Sequence, residues 1–187
     1  MIGCVPVHSG FRRWICGRGG PTVTDLIRRA AVFATSIHAA TGQRLRYTDE
    51  PFIAHPMRVA ELVAGTGARP EVVAASWLHD VLEGTPVTLA EINSVFGPDV
   101  ASLVEMVTTP AKRSSDGMPG IVDHAQLARA SAEAQTICIA SLIDNAARIL
   151  RHETRGRALY LHEKREILRD LGKGDAGLYM MAAMAIT

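Results

Sequence analysis

The sequence predicts an all-α chain: a single helical domain of eight or nine helices over residues 22–187, preceded by an extension, residues 1–21. Three observations carry that prediction. Apolar residues recur at three- and four-residue spacing from Leu26 onward. Proline, glycine and capping residues fall between those stretches, where helices start and stop. Five helical stretches pass without any strand signal appearing between them. A chain of 187 residues is long enough for one sizeable core but hardly for two.

Residues 1–21 are rich in Gly and Arg, show no helical or strand period and end in GRGGP, so they read as an arm on the surface. The first helix starts at Thr22, a capping residue, with Asp25 in its first turn. Leu26, Ile27, Ala30, Phe33, Ala34 and Ile37 form its apolar stripe, and it ends near Gly42. The loop GQRLRYTDEP, residues 42–51, carries Arg44 and Arg46. Its Pro51 is placed to open a second helix through Met57, Ala60 and Val63, which Gly65 and Gly67 stop.

Pro70 opens the third helix, in which Val73, Ala74, Trp77, Leu78, Val81 and Leu82 make a broad buried face up to Gly84. Thr88 with Glu91 is a capping-box pattern for a short fourth helix ending at Phe96 and Gly97. Pro98 starts a fifth through Val100, Leu103, Val104 and Val107. Residues 108–120, TTPAKRSSDGMPG, make the longest loop, a segment placed to cover a site. Beyond it follow a helical stretch from Ile121 to about Glu133 and an apolar helix through Ile137, Ala140, Leu142 and Ile149. A charged helix from Leu159 to Leu171 and the apolar ending YMMAAMAIT, read as core rather than subunit contact, complete the chain. No internal repeat is present.

Composition narrows the partners. Lys and Arg total 20 against 19 Asp and Glu, a formal charge of +1. No net field gathers DNA, RNA or an anionic membrane, so an anionic ligand must be caught by a local cluster. Cys4, Cys16 and Cys138 are an odd set without paired metal spacing, which is not a disulfide framework. No apolar run approaches the ~18 residues of a membrane span, and the first twenty residues lack the order of a secretory signal. A cytoplasmic protein is the expectation.

The stretch that asks for chemistry is EVVAASWLHDVLEG, residues 71–84. It sets His79 and Asp80 side by side in an otherwise apolar segment, where an unanswered carboxylate carries a large desolvation penalty. A cation held over their shared edge resolves this, and Glu83, four residues after His79, is placed to orient a metal-bound water. His8, His124, His152 and His162 have polar or unpatterned neighbours and read as solvated. His38 reads as a helix-end or packing residue.

EPFIAHP at 50–56, LHDVLEGT at 78–85, VTLAEI at 87–92, FGPDV at 96–100 and SLIDN at 141–145 occur in this order, with GQ ahead of the first. Over residues 24–170 the chain resembles the HD-domain metal-dependent phosphohydrolases, in particular the small alarmone hydrolases and the hydrolase half of the bifunctional alarmone enzymes. The resemblance implies an HD-type helical domain with its site between the second, third and seventh helices. It implies that His55, His79 and Asp80 bind the metal, usually manganese, which imidazole mixed with hard oxygen donors suits. The implied reaction removes the 3′-pyrophosphate from guanosine tetra- or pentaphosphate, a purine nucleotide carrying pyrophosphate. In that reaction the cation polarises phosphoryl oxygens and lowers the pKa of its water. Glu83 matches the glutamate that positions or deprotonates that water, and Asn145 matches an asparagine near the substrate.

Three positions depart from the family pattern. Ser141 stands where a fourth, aspartate ligand is expected; Asp144, three residues on, either takes that role directly or through a water, or is a carboxylate outside the ligand set. Gly84 replaces the second residue of a Glu-Asp pair. Leu45 and Arg46 stand where an Arg-Lys pair is expected, so that Arg46, with Arg44 before it, either meets phosphate or lies in a solvated loop. Two readings of function follow: a metal-dependent pyrophosphohydrolase, or a catalytically degenerate HD domain that binds nucleotide or a partner protein without turnover.

Overall fold

A computed structural model describes residues 23–108, 124–152 and 156–187. The sequence-predicted extension at 1–21, the Thr22 cap and most of the loop predicted to cover the site lie outside the described residues. Among the described residues the chain forms nine α-helices and no strand: α1 (Val23–Thr41), α2 (Ala54–Gly65), α3 (Pro70–Leu78), α4 (Leu89–Phe96), α5 (Pro98–Val107), α6 (His124–Arg129), α7 (Ala132–His152), α8 (Arg157–Asp170) and α9 (Ala176–Ala185). The all-α prediction holds in number and in order.

Helix α3 is the hub. It packs against α1, α2, α5 and α7, and its residues from Val72 to Ser76 together with Leu78 are buried. A helix apolar on every side is stable only when neighbours surround it. Its partners bring Ala30 and Ala34 from α1, Val59 and Val63 from α2, Val100 and Val104 from α5, and Ile137 and Ala140 from α7 into one core.

Several start and stop signals act as read. Thr88 caps α4 in a reciprocal box with Glu91, Pro98 occupies the first turn of α5, and Gly97 between them takes φ 90°. A box of this kind stabilises a helix end by about 1 kcal/mol. Asp175 caps α9 by accepting from the Leu178 amide at 2.9 Å.

Three boundaries differ from the sequence prediction, each for a physical reason. Pro51 does not open α2; it forms an antiparallel bridge with Arg44, and the helix begins at Ala54, after the Phe52 amide has donated to the Gln43 carbonyl at 3.1 Å. The third helix ends at Leu78 rather than at Gly84: Val81 bonds back to Leu78 and Glu83 to Asp80, tight turns in place of helical steps. Val81 and Leu82 stay buried in these turns, which is why the apolar pattern ran on past the helix. Beyond the loop, the stretch expected to run as far as Glu133 breaks at Ser131, whose hydroxyl accepts from the Ala134 amide and starts α7.

The apolar ending is core on one face only. Leu178, Ala182 and Ile186 are buried, while Met180, Met181 and Met184 are exposed.

Candidate metal centre

His55 lies in the first turn of α2, and His79 and Asp80 lie in the turn that leaves α3. Packing of α2 on α3 brings the three together, with relative exposures of 3%, 3% and 6%. Their ligand atoms fall within 4.8 Å of one another, and among the described residues no other group of His, Cys, Asp and Glu side chains does so. His79 Nε2 is 3.2 Å from Asp80 Oδ2, and His55 Nε2 is 3.5 Å from the same oxygen.

The far side of each ring settles which nitrogen faces a metal. His79 Nδ1 sits 2.8 Å from the Ser76 carbonyl oxygen, an acceptor only, so it carries the proton. His55 Nδ1 sits 2.6 Å from Asp144 Oδ2 and donates to it. In the neutral rings the lone pair is therefore on Nε2, the nitrogen on the Asp80 side. Imidazoles oriented from behind by a carbonyl and a carboxylate are the arrangement that metal-binding histidines require. The donor set of two imidazoles and one carboxylate fits a divalent first-row cation.

Both carboxylate oxygens of Asp144 are engaged in hydrogen bonds. Its Oδ2 accepts from His55 Nδ1, and its Oδ1 accepts from Arg58 Nε at 2.5 Å. Burial by itself would raise the Asp144 carboxyl; the hydrogen bonds and charges of His55 and Arg58 outweigh that and hold it below the usual aspartate value. Desolvation works against the Arg58 guanidinium, and Asp144 and Glu50 more than compensate, raising it. Asp144 thus stands behind the His55 ring and outside the cluster of His55, His79 and Asp80. A cavity of about 740 Å³ opens on that far side, between α2, α7 and α9, and it meets the centre only through Arg58 and Asp144.

Ser141 is on the metal side. Its Oγ is 3.3 Å from His55 Nε2 and 3.4 Å from Asn145 Nδ2. A carboxylate at position 141 would face the ion; a hydroxyl offers a weak, neutral donor there. Asn145 Oδ1 accepts from Arg148, whose second nitrogen reaches the Arg46 carbonyl at 3.2 Å. Arg44 and Arg46 are exposed in the loop before α2. Arg44 donates to the Asp49 carbonyl at 2.7 Å, and the Arg46 guanidinium lies over the Tyr47 ring. Among the described residues their hydrogen bonds do not reach the three-residue cluster directly; the Arg46 carbonyl links toward it through Arg148, Asn145 and Ser141. Glu83 is half-buried in the turn after Asp80, with its amide bonded to the Asp80 carbonyl at 3.0 Å; because the helix has ended, it is not one helical turn above His79. Gly84 takes φ +65°.

The model of the HD domain matches residues 30–137, more than half of the chain. The chain belongs to the HD-domain family. HD domains are metal-dependent, and the matched span contains His55, His79 and Asp80 and stops before Ser141 and Asp144. Among curated relatives, a probable guanosine-3′,5′-bis(diphosphate) 3′-pyrophosphohydrolase of Synechocystis is 45% identical over 87 residues, 46% of this chain and 11% of its own length. The enzyme of that name from Aquifex aeolicus is 44% identical over 92 residues, 49% of this chain and 13% of its own. A third, from Mycoplasma pneumoniae, is 26% identical over 160 residues, 80% of this chain and 21% of its own. The chain thus spans at most about a fifth of the length of these relatives. Among solved structures, a metazoan ortholog of SpoT, described as hydrolysing ppGpp, superposes with a TM-score of 0.76 at 22% identity, over 86% of this chain and 93% of that one. At that identity the likeness establishes the shared helical fold. No described helix is long and apolar enough to cross a membrane.

The HD dipeptide and the IAHP histidine were legible in the sequence, and the structure joins them. Arg58 and Arg148 carry no such motif, and Gln43 enters only as part of the GQ ahead of EPFIAHP, without a role. Arg58 follows His55 by three residues on α2 and Arg148 follows Asn145 by three on α7, the spacing that puts neighbours on one helix face; that periodicity was the signal available.

Proposed function

We propose that this chain is a divalent-metal-dependent phosphohydrolase that removes pyrophosphate from a guanosine nucleotide carrying a 3′-pyrophosphate, acting in the cytoplasm. The observation that carries the reading is the convergence of His55 Nε2, His79 Nε2 and Asp80 Oδ2, with both rings held from behind in the tautomer that binds metal. The names of the relatives supply the substrate class. In this reading His55, His79 and Asp80 hold the ion, manganese, which when bound polarises phosphoryl oxygen and acidifies its water. Asp144 serves by orienting His55. Glu83 accepts a proton from the attacking water, and Asn145 contacts the nucleotide. Arg46 and Arg44 meet phosphate from the loop, as guanidinium forks suit phosphate oxygens.

A second reading is favoured by Ser141 Oγ standing beside His55 Nε2 where a fourth carboxylate is expected: an HD domain that keeps the metal framework and binds nucleotide, or a partner protein, without turnover. Elemental analysis of protein purified without chelator, joined to a pyrophosphate-release assay on guanosine tetraphosphate with added manganese, separates the two. Metal near one equivalent with steady release supports the enzyme. Nucleotide binding with neither metal nor release refutes it.

A further inference from the structure

We propose that Gln43 is a positioning residue of the metal centre, a clamp whose side chain fixes the turn leaving His79 and Asp80 to α1; its catalytic consequence rests on the phosphohydrolase reading. Gln43 touches no ligand atom. Its Nε2 donates to the Glu83 carbonyl at 3.2 Å, and its Oε1 lies 2.6 Å from His38 Nδ1. The carbonyl fixes which end of the amide is nitrogen, so Oε1 is the acceptor and His38 carries its proton on Nδ1. His38 lies in the last turn of α1 and is 2% exposed, so the helix end offers the amide a buried, packed anchor.

The backbone of Gln43 acts on the other half of the centre. Its carbonyl accepts from the Phe52 amide at 3.1 Å, three residues ahead of His55. The Phe52 ring packs on His38 at 4.8 Å between centroids and meets the His55 ring edge-on at 6.2 Å. One residue therefore joins α1, the segment leading into His55 and the turn that follows Asp80. That junction braces, from the α1 side, the approach of His55 to His79 and Asp80 that α2–α3 packing creates.

Gly84 is the counterpart of the clamp. A Cβ there would lie 2.8 Å from Gln43 Nε2, on a backbone with φ +65° that disfavours side chains. The amide of Gln43 fills the space that a residue with a side chain would claim. Position 84 is thus a fitted contact, beyond being a missing acid. The clamp holds the Glu83 carbonyl while the Glu83 amide bonds to the Asp80 carbonyl, so the backbone of Glu83 is held on both sides.

The test uses the whole chain and separates the two hydrogen bonds. Long-range proton–nitrogen NMR of the histidine rings reads the His38 tautomer, and hydrogen exchange reads the Val81 and Glu83 amides, neither needing metal. Wild type shows His38 protonated on Nδ1. Gln43→Glu keeps an acceptor for His38 and removes the donor to Glu83: the tautomer stays, and exchange at Val81 and Glu83 rises about tenfold, the order expected for one lost hydrogen bond. Gln43→Ala loses both signatures. Gly84→Ala, whose methyl displaces the amide, matches Gln43→Glu in exchange. Protection in α5 and α7 is unchanged throughout.

With manganese and guanosine tetraphosphate, the Gln43→Glu variant lowers kcat about tenfold at unchanged KM. Exchange at Val81 and Glu83 equal to wild type in Gln43→Glu, or a rise spread evenly over α3, α5 and α7, overturns the clamp. If the exchange pattern holds while the wild-type chain releases no pyrophosphate, the clamp stands and the phosphohydrolase reading is what fails.

Discussion

Asp144→Asn tests whether this carboxylate orients His55 or ligates the ion. In the wild-type chain its two oxygens accept from two different donors, His55 Nδ1 at 2.6 Å and Arg58 Nε at 2.5 Å. An asparagine keeps one acceptor and turns an NH₂ toward the other donor, so one of the two contacts must break. An orienting partner of a metal-bound histidine is worth about 10- to 100-fold in metal affinity, or about 1.4–2.7 kcal/mol. The fold loses less than the ~3–5 kcal/mol of a broken, fully buried ion pair, because Arg58 is 33% exposed and regains water. Manganese titration by calorimetry, with far-ultraviolet circular dichroism as the control for folding, reads the effect. An affinity within twofold of wild type refutes the orienting role, and a loss far beyond a hundredfold with the fold intact makes Asp144 a ligand in its own right.

The same residue gives the chain a defined acid sensitivity. The Asp144 carboxyl titrates below its ordinary value of 3.8, so its contribution to stability is complete above that value and is lost as pH falls through its own lower one. Acid titration of wild type against Asp144→Asn, followed by circular dichroism, should show the two stabilities converging at the acid end. Ser141→Asp puts a carboxylate beside His55 Nε2 and should tighten manganese at least tenfold, read by equilibrium dialysis; unchanged affinity means that position 141 does not face the ion. Glu83→Gln should leave metal content intact and lower pyrophosphate release by about 10²- to 10⁴-fold, while retained turnover removes Glu83 from the chemistry. Leu78→Ala, at a fully buried position in the central helix, should cost about 2–5 kcal/mol in urea unfolding; a smaller loss would mean that the core beside the centre collapses to fill the space.

What was legible was what local chemistry decides. Thr88 and Glu91 cap α4 because the two side chains need only each other, and Pro98 opens α5 because its fixed φ suits a first turn wherever it stands. Pro51 carried the same signal and was misleading, since a proline also suits a bridge, and the hydrogen bonds that make it one run across the loop, from the Phe52 amide to the Gln43 carbonyl and from the Leu45 amide to the Glu50 carbonyl. The third helix was over-extended for a related reason. Val81 and Leu82 are buried whether their backbone is helical or turned, so periodicity is blind to the change at His79.

That change matters to the centre. A continuous helix would point His79 and Asp80 about 100° apart, with Glu83 stacked over His79. Ending the helix at Leu78 lets the Asp80 carboxylate turn back to within 3.2 Å of His79 Nε2 and sends Glu83 into a separate turn whose position depends on other segments. The sequence names the ligands because ligands are residue types. It does not show which contacts support them, because the His55–Asp144 contact spans 89 residues and the Gln43–Glu83 contact 40, and no local spacing encodes either pairing. Two of the three altered family positions divide along the same line. Ser141 lies on the ligand side, where a carboxylate bears on the ion directly. Gly84 lies against the supporting Gln43 amide, where a carboxylate would first have to displace a hydrogen bond that holds the turn. Restoring an acid at 141 therefore adds to the site as it stands, whereas restoring one at 84 alters the frame in which Glu83 is held.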